Sequence, residues 1–173
     1  MTTIVVLADC HIHPGGGPDW TGATLAAFAG ADLILTLGDM GEAVGLEPLA
    51  AIAPVQGVMG VDDQPGAHVE GRTRLLTIDG VAIGCVFDPV AEALASSKEP
   101  LKLASPEARR LILGGAADVL LWASTHVPDV GRQDGVLTVN PGSATLPDGG
   151  SAASFARLTV AGGAVSAEIM SLS

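Results

Sequence analysis

The chain is predicted to adopt an α/β fold, and three observations predict it. Residues 3–8 and 31–37 form two aliphatic runs, the look of strands buried on both faces of a sheet. Both runs lead into an acid, Asp9 and then Gly38-Asp39, and an Ala-rich helical stretch lies between them. A β-α-β unit of this kind brings both acids to one edge of a parallel sheet, where ligands bind in open α/β sheets. Finally, turns at Asp79-Gly80 and Gly162-Gly163, each flanked by β-prone residues, read as hairpins that add antiparallel strands.

In chain order, residues 12–18 hold His13, two prolines and three glycines, and so form a loop beside the first acid. Residues 21–29 read as a short helix capped by Thr21 and stopped at Gly30. A second helix is expected over 46–53, closed by Pro54, and a third strand over 55–59, followed by Gly60-Val61-Asp62-Asp63. The first hairpin spans 72–86 and ends in Phe87-Asp88-Pro89. Helices are expected over 90–97 and 106–113, the latter with Ser105 as N-cap, Pro106 in the first turn and Gly114 as the stop. Residues 118–123 read as a buried strand ending in Ser124-Thr125-His126. Residues 136–139 lead into Asn140-Pro141-Gly142-Ser143, and the second hairpin pairs 154–160 with 164–171. No internal repeat or low-complexity tract is visible.

Composition narrows the function. A chain of 173 residues suits one domain, 1–173, with a core of Ala, Val, Leu and Ile, since aromatics make up only 3%. Eight Lys plus Arg stand against 19 Asp plus Glu, a net charge of −11. That balance lacks the basic footprint of a nucleic-acid binder. No basic, then apolar leader opens the chain and no apolar run is long enough to span a bilayer, so no membrane association is expected. Cys10 and Cys85 then read as reduced thiols of a cytoplasmic protein. No His/Asn pattern marks Cys10 as a nucleophile.

The chemistry sits at the strand ends. Asp9-Cys10-His11 places a hard oxygen and a borderline nitrogen side by side, which suits a divalent cation, although Asp-x-His alone is a common pattern. The full ordered series is Asp9-Cys10-His11, Gly38-Asp39, Gly60-Val61-Asp62-Asp63, Phe87-Asp88, Ala123-Ser124-Thr125-His126 and Asn140-Pro141-Gly142-Ser143. In order and spacing it resembles the calcineurin-like metallophosphoesterase superfamily, in particular its small bacterial and archaeal phosphodiesterases. The resemblance implies a four-layer α/β/β/α sandwich.

It also implies two adjacent metal sites bridged by the second acid. The first would consist of Asp9, His11, Asp39 and His126, all present. The second would need an Asn and two His where this chain has Val61, Asp88 and Ser124, so only Asp88 could replace its counterpart. One metal is therefore expected, with the second site incomplete. Mn²⁺ is the expected ion, with Mg²⁺, Zn²⁺, Fe and Ni²⁺ as alternatives. Asp62 and Asp63, beside the lost Asn, could rebuild a harder, more anionic site or simply serve as turn and capping residues. Asp39 would orient the attacking water, Asp63 would hold a ligand in place, and Asn140 would shape the neighbouring loop. Two functions follow from the resemblance. One is a metallophosphoesterase of reduced activity acting on a small phosphodiester or phosphomonoester. The other is an inactive phosphoesterase-fold module that binds a protein partner, for which the phosphoesterase-fold subunit of retromer is the precedent. Homo-oligomerisation is left open.

Overall fold

In the computed structural model, residues 1–64, 66, 68–89, 91–92 and 106–172 are described. The first aliphatic run becomes strand β1 (Thr2–Leu7), whose Ile4, Val5, Val6 and Leu7 are all fully buried. Alternation sends Ile4 and Val6 to one face and Val5 and Leu7 to the other, so the strand needs apolar cover on both sides. Helix α1 (Gly22–Ala27) follows, with the Thr21 hydroxyl accepting from the Thr24 N–H at 3.0 Å as its cap. Strand β2 (Leu33–Thr36) then pairs parallel to β1, with Val5 opposite Ile34. Helix α2 (Ala43–Ala50) begins about a turn earlier than the sequence suggests and carries Pro48 inside it. Pro48 marks the first turn of the predicted helix, whereas Glu42 takes the N-cap position of the real one. Strand β3 (Val55–Gly57) closes this parallel set beside β2.

The first hairpin is β4 (Thr73–Ile78) and β5 (Val81–Val86), joined at Asp79 and Gly80 with φ of 47° and 81°, the double left-handed turn that an Asp-Gly pair favours. Helix α3 (Pro106–Leu113) begins at its proline and ends before Gly114, at φ 69°. The helix expected over 90–97 and the Ser105 cap lie outside the described residues, apart from helical Ala91 and Glu92. Strand β6 (Val119–Leu121) is followed by β7 (Pro128–Gln133), which the sequence reading missed, and by β8 (Val136–Pro141). Strands β9 (Ser154–Ala161) and β10 (Ala164–Ser171) form the terminal hairpin as expected.

Two mixed sheets result, in the orders β10-β9-β1-β2-β3 and β4-β5-β6-β8-β7. Their facing sides share one core in which Val6, Leu35 and Leu158 of the first sheet meet Ile83, Leu121 and Val139 of the second. Val5, Leu7 and Ile34 pack outward on Phe28, which follows α1 as its C-cap, and on Leu46 and Leu49 of α2. Leu113 of α3 covers Val86 and Leu120 on the outer side of the second sheet. The layers are therefore α/β/β/α, as the resemblance implied. The carboxyl ends of the parallel strands β1, β2 and β3, and of β5, β6 and β8, carry the acid- and histidine-bearing loops. No helix among the described residues is long and apolar enough to cross a membrane.

Candidate metal centre

The loop after β1 holds Asp9 and His11, and the loop after β6 holds His126. The structure brings one ligand atom of each within 4.8 Å of the others. Asp9 is fully buried; its Oδ2 accepts from the Ser124 N–H at 3.1 Å, while its Oδ1 has no hydrogen-bond partner among the described residues and lies 3.8 Å from His126 Nε2. A buried carboxylate oxygen left without a donor is costly unless a cation meets it. Burial is the main cause that pushes the Asp9 carboxyl up to about 6. The Asp39 charge adds to it, and His126 and the Ser124 and His126 N–H groups oppose it.

Both imidazoles are oriented from behind. The His126 Nδ1–H donates to the Leu146 carbonyl at 2.6 Å, and the His11 Nδ1–H donates to Asp62 Oδ2 at 2.9 Å. Each bond fixes the tautomer that leaves Nε2 as the lone-pair nitrogen, and the two rings stack with centroids 5.2 Å apart. Two imidazole nitrogens and a carboxylate oxygen suit a divalent transition ion.

Asp39, the fourth expected ligand, is not among the three residues brought together here. It is nearly buried, and its Oδ1 accepts from the Asp62 N–H at 2.9 Å. Asp62 thus touches two expected ligands, one through its backbone and one through its carboxylate. Asp63 does not face the cluster: its Oδ1 accepts from the Met40 and Gly41 N–H groups and its Oδ2 from Gly60, tying the loops after β2 and β3 together. Asp88 is also outside the cluster. Its Oδ1 accepts from the Ala91 N–H at 3.0 Å, and the residue lines a neighbouring cleft together with Ser124 and Thr125. Val61 is 76% exposed and offers no ligand atom. His13 forms a second, more exposed group with His11 and Asp62.

The backbone follows the site. Asp9, His11, Asp39, Ser124 and His126 all take left-handed φ, from 49° to 76°. Each costs a non-glycine residue roughly 1 kcal/mol or more, and such strain gathers where side chains must converge. Gly60 permits the approach of the third loop, since a Cβ there would fall 2.1 Å from Asp39 Oδ1.

The loop role expected of Asn140 is joined by contacts from Ser143 and from Thr145, the latter unrecognised in the sequence. The Ser143 hydroxyl donates to the Asp9 carbonyl at 2.7 Å, and Thr145 Oγ1 donates to the Cys10 carbonyl at 2.6 Å. Asn140 donates to Thr125 Oγ1 at 3.0 Å and accepts from the Gly142 N–H at 2.9 Å. The 140–145 segment therefore clamps the loop that bears Asp9. Cys10, inside that loop, is fully buried, and burial pushes its thiol up to about 12. A thiol held protonated is neither nucleophile nor metal ligand.

The sequence model of the calcineurin-like phosphoesterase superfamily domain matches residues 2–163. A probable metallophosphoesterase of Methanothermobacter thermautotrophicus is 31% identical over 144 residues, 83% of this chain and 78% of that protein. Among solved structures, Vps29 of Entamoeba histolytica complexed with zinc is similar at a TM-score of 0.69 and 20% identity, over 98% of this chain and 99% of that one. The phosphoesterase YfcE of E. coli is similar at a TM-score of 0.63 and 20% identity, over 91% and 88% of the two chains.

Proposed function

Because the chain belongs to the calcineurin-like phosphoesterase superfamily, we propose that it is a metal-dependent phosphoesterase working from a single principal metal site. The observation that carries this reading is the buried Asp9 Oδ1, which has no hydrogen-bond partner among the described residues and faces His126. Asp9, His11 and His126 would hold the ion, with Asp39 closing the set, and Mn²⁺ is the ion proposed. A divalent ion supplies Lewis acidity toward a phosphoryl oxygen. The chain does the rest. Asp62 and Leu146 aim the two imidazoles, Asp39 orients the water that attacks phosphorus, and Asp63 keeps the loops that carry Asp39 and Gly60 in register. Among the described residues Asp88 belongs to no group of three potential ligands, and the reading therefore places a single ion on the Asp9 side. Loss of a second ion costs several kcal/mol of transition-state stabilisation, or roughly three or more orders of magnitude in rate. A small phosphoester with a good leaving group is accordingly the proposed substrate.

A second reading, a module that binds a protein partner, is favoured by one observation. The residues that stand where the second ion's ligands would be include the solvent-exposed Val61 and the neutral Ser124. The likeness to Vps29 is compatible with it. The two readings separate by elemental analysis of the purified protein and hydrolysis of bis-p-nitrophenyl phosphate with added Mn²⁺. We expect one ion per chain and a turnover that Asp39→Asn abolishes. No bound metal, and no turnover at any Mn²⁺ concentration, would overturn the phosphoesterase and leave the binding module.

A further inference from the structure

The loop that carries Asp9 and His11 continues into a second group of ligating side chains. Its backbone is laced to the loop after β2: the His11 N–H donates to the Asp39 carbonyl at 2.9 Å, the Ile12 N–H to the Met40 carbonyl at 3.0 Å, and the Glu42 N–H to the Ile12 carbonyl at 2.9 Å. Gly41 lets the two segments close, since a Cβ there would fall 2.2 Å from the Ile12 carbonyl oxygen. Ile12 turns inward and is buried, which sets His11 and His13 together on the outer side. One ligand atom each of His11, His13 and Asp62 lies within 4.8 Å of the others, and Glu42 Oε1 stands 3.9 Å from His13 Nδ1. His13 also borders a cavity of about 210 Å³ formed with Asp19 and the glycines of the 12–18 loop, so an ion has a path to the group.

Two imidazoles and a carboxylate, with a second carboxylate beside them, match a divalent transition ion in charge and donor type. The two groups share His11 and ask different things of it. The metal centre takes Nε2, which needs the ring proton on Nδ1, where Asp62 Oδ2 accepts it at 2.9 Å. An ion seated with Asp62 and His13 meets His11 from the Asp62 side, at Nδ1. The neutral ring then carries its proton on Nε2, moved there through solvent with none gained or lost. Nε2 has no lone pair left for the inner ion. The inner site fills first, because an ion there meets the buried Asp9 Oδ1, whereas the side chains of Asp62 and His13 are 48% and 40% exposed and already solvated.

We propose that His11 Nδ1, His13 and Asp62, with Glu42 beside them, form an outer transition-ion site that inhibits the metal centre by taking its histidine. Zn²⁺ suits this site better than Mn²⁺, because imidazole-bearing sites hold Zn²⁺ more tightly than Mn²⁺. The inhibition rests on the phosphoesterase reading of the metal centre, whereas the outer site itself does not. Turnover supported by Mn²⁺ should therefore fall when Zn²⁺ is added in excess.

The test has a binding arm and a kinetic arm. The chain has four histidines, so long-range proton–nitrogen NMR spectra of the side chains can follow every ring, and His13→Ala assigns one of them. As Zn²⁺ alone is added beyond one equivalent, His13 should take on the nitrogen shift of a metal-bound ring, and His11 should change from the Nδ1–H to the Nε2–H tautomer. A His13 ring that stays unbound in excess Zn²⁺ overturns the site. Binding by His13 while His11 keeps its Nδ1–H form overturns the inhibition by a shared histidine. The kinetic arm follows hydrolysis of bis-p-nitrophenyl phosphate at fixed Mn²⁺ with rising Zn²⁺. His13→Ala should raise the Zn²⁺ concentration for half suppression by about tenfold or more. The His13 side chain is 40% exposed in a loop, so this variant keeps the fold. Suppression that His13→Ala leaves unchanged puts the inhibitory Zn²⁺ elsewhere and overturns the inference. Absence of turnover with any ion overturns the phosphoesterase reading, and the nitrogen spectra then decide the outer site by themselves.

Discussion

Asp62 is the residue whose role differs most from its sequence appearance. In the sequence it is one of two adjacent acids in a turn. In the structure its carboxylate receives the His11 Nδ1–H while its own N–H holds Asp39. Removing such a support typically costs about 10–100-fold in metal affinity. Asp62→Ala is expected to weaken Mn²⁺ binding in that range, measured by titration against a chelator, and Asp62→Asn, which keeps an acceptor, should lose less. The grouping of Asp9, His11 and His126 was legible because their motifs recur at strand ends, whereas Asp39 lies outside the group of three. The support from Asp62 was not legible, because the contact spans 51 residues and depends on the approach of the third loop that Gly60 permits. Asp9 also sets a pH dependence. Its carboxyl titrates near 3.8 in the unfolded chain and near 6 in the fold, so between these values the folded chain binds more protons. The stability of the metal-free protein should therefore fall as pH rises through that window, by up to a few kcal/mol. Thermal melts should show this, and Mn²⁺ should raise the melting temperature at pH 7 but much less near pH 4.5, where Asp9 is protonated.

The elements read most clearly where burial imposes a pattern. Both parallel strands β1 and β2 and both expected hairpins are present because their side chains must satisfy a core or a tight turn. Strand β7 escaped because it lies at a sheet edge, mostly exposed, with a proline at its first position and little alternation. Its turn, Asp134-Gly135 with φ of 50° and 82°, repeats the chemistry of Asp79-Gly80 and was the available signal. The docking of α3 also hides in one residue. A Cβ at Gly84 of β5 would fall 2.2 Å from Leu113 Cδ1. Gly84→Ala should push the helix off the sheet and cost about 1–3 kcal/mol in urea unfolding, with the metal centre retained.

The two sheets are joined through a common apolar core that draws Leu121 from one and Leu158 from the other. Leu121→Ala and Leu158→Ala should each cost about 2–5 kcal/mol and lower one shared calorimetric transition, although they lie on opposite sheets. Two separate transitions would show that the sheets unfold independently. The whole architecture was legible, since six motifs in order imply it. The grouping of His13 with His11 and Asp62 was not, since it forms only where the loops after β1 and β3 converge. Both cysteines are buried in that architecture with thiols pushed up to about 12. The native molecule is thus silent toward thiol reagents: Ellman's reagent should read no free sulfhydryl until denaturant is added. A single cysteine introduced on the surface would be the sole target for a maleimide dye or spin label, so the loops around Asp9 and His126 could be followed by spectroscopy without first removing a native residue.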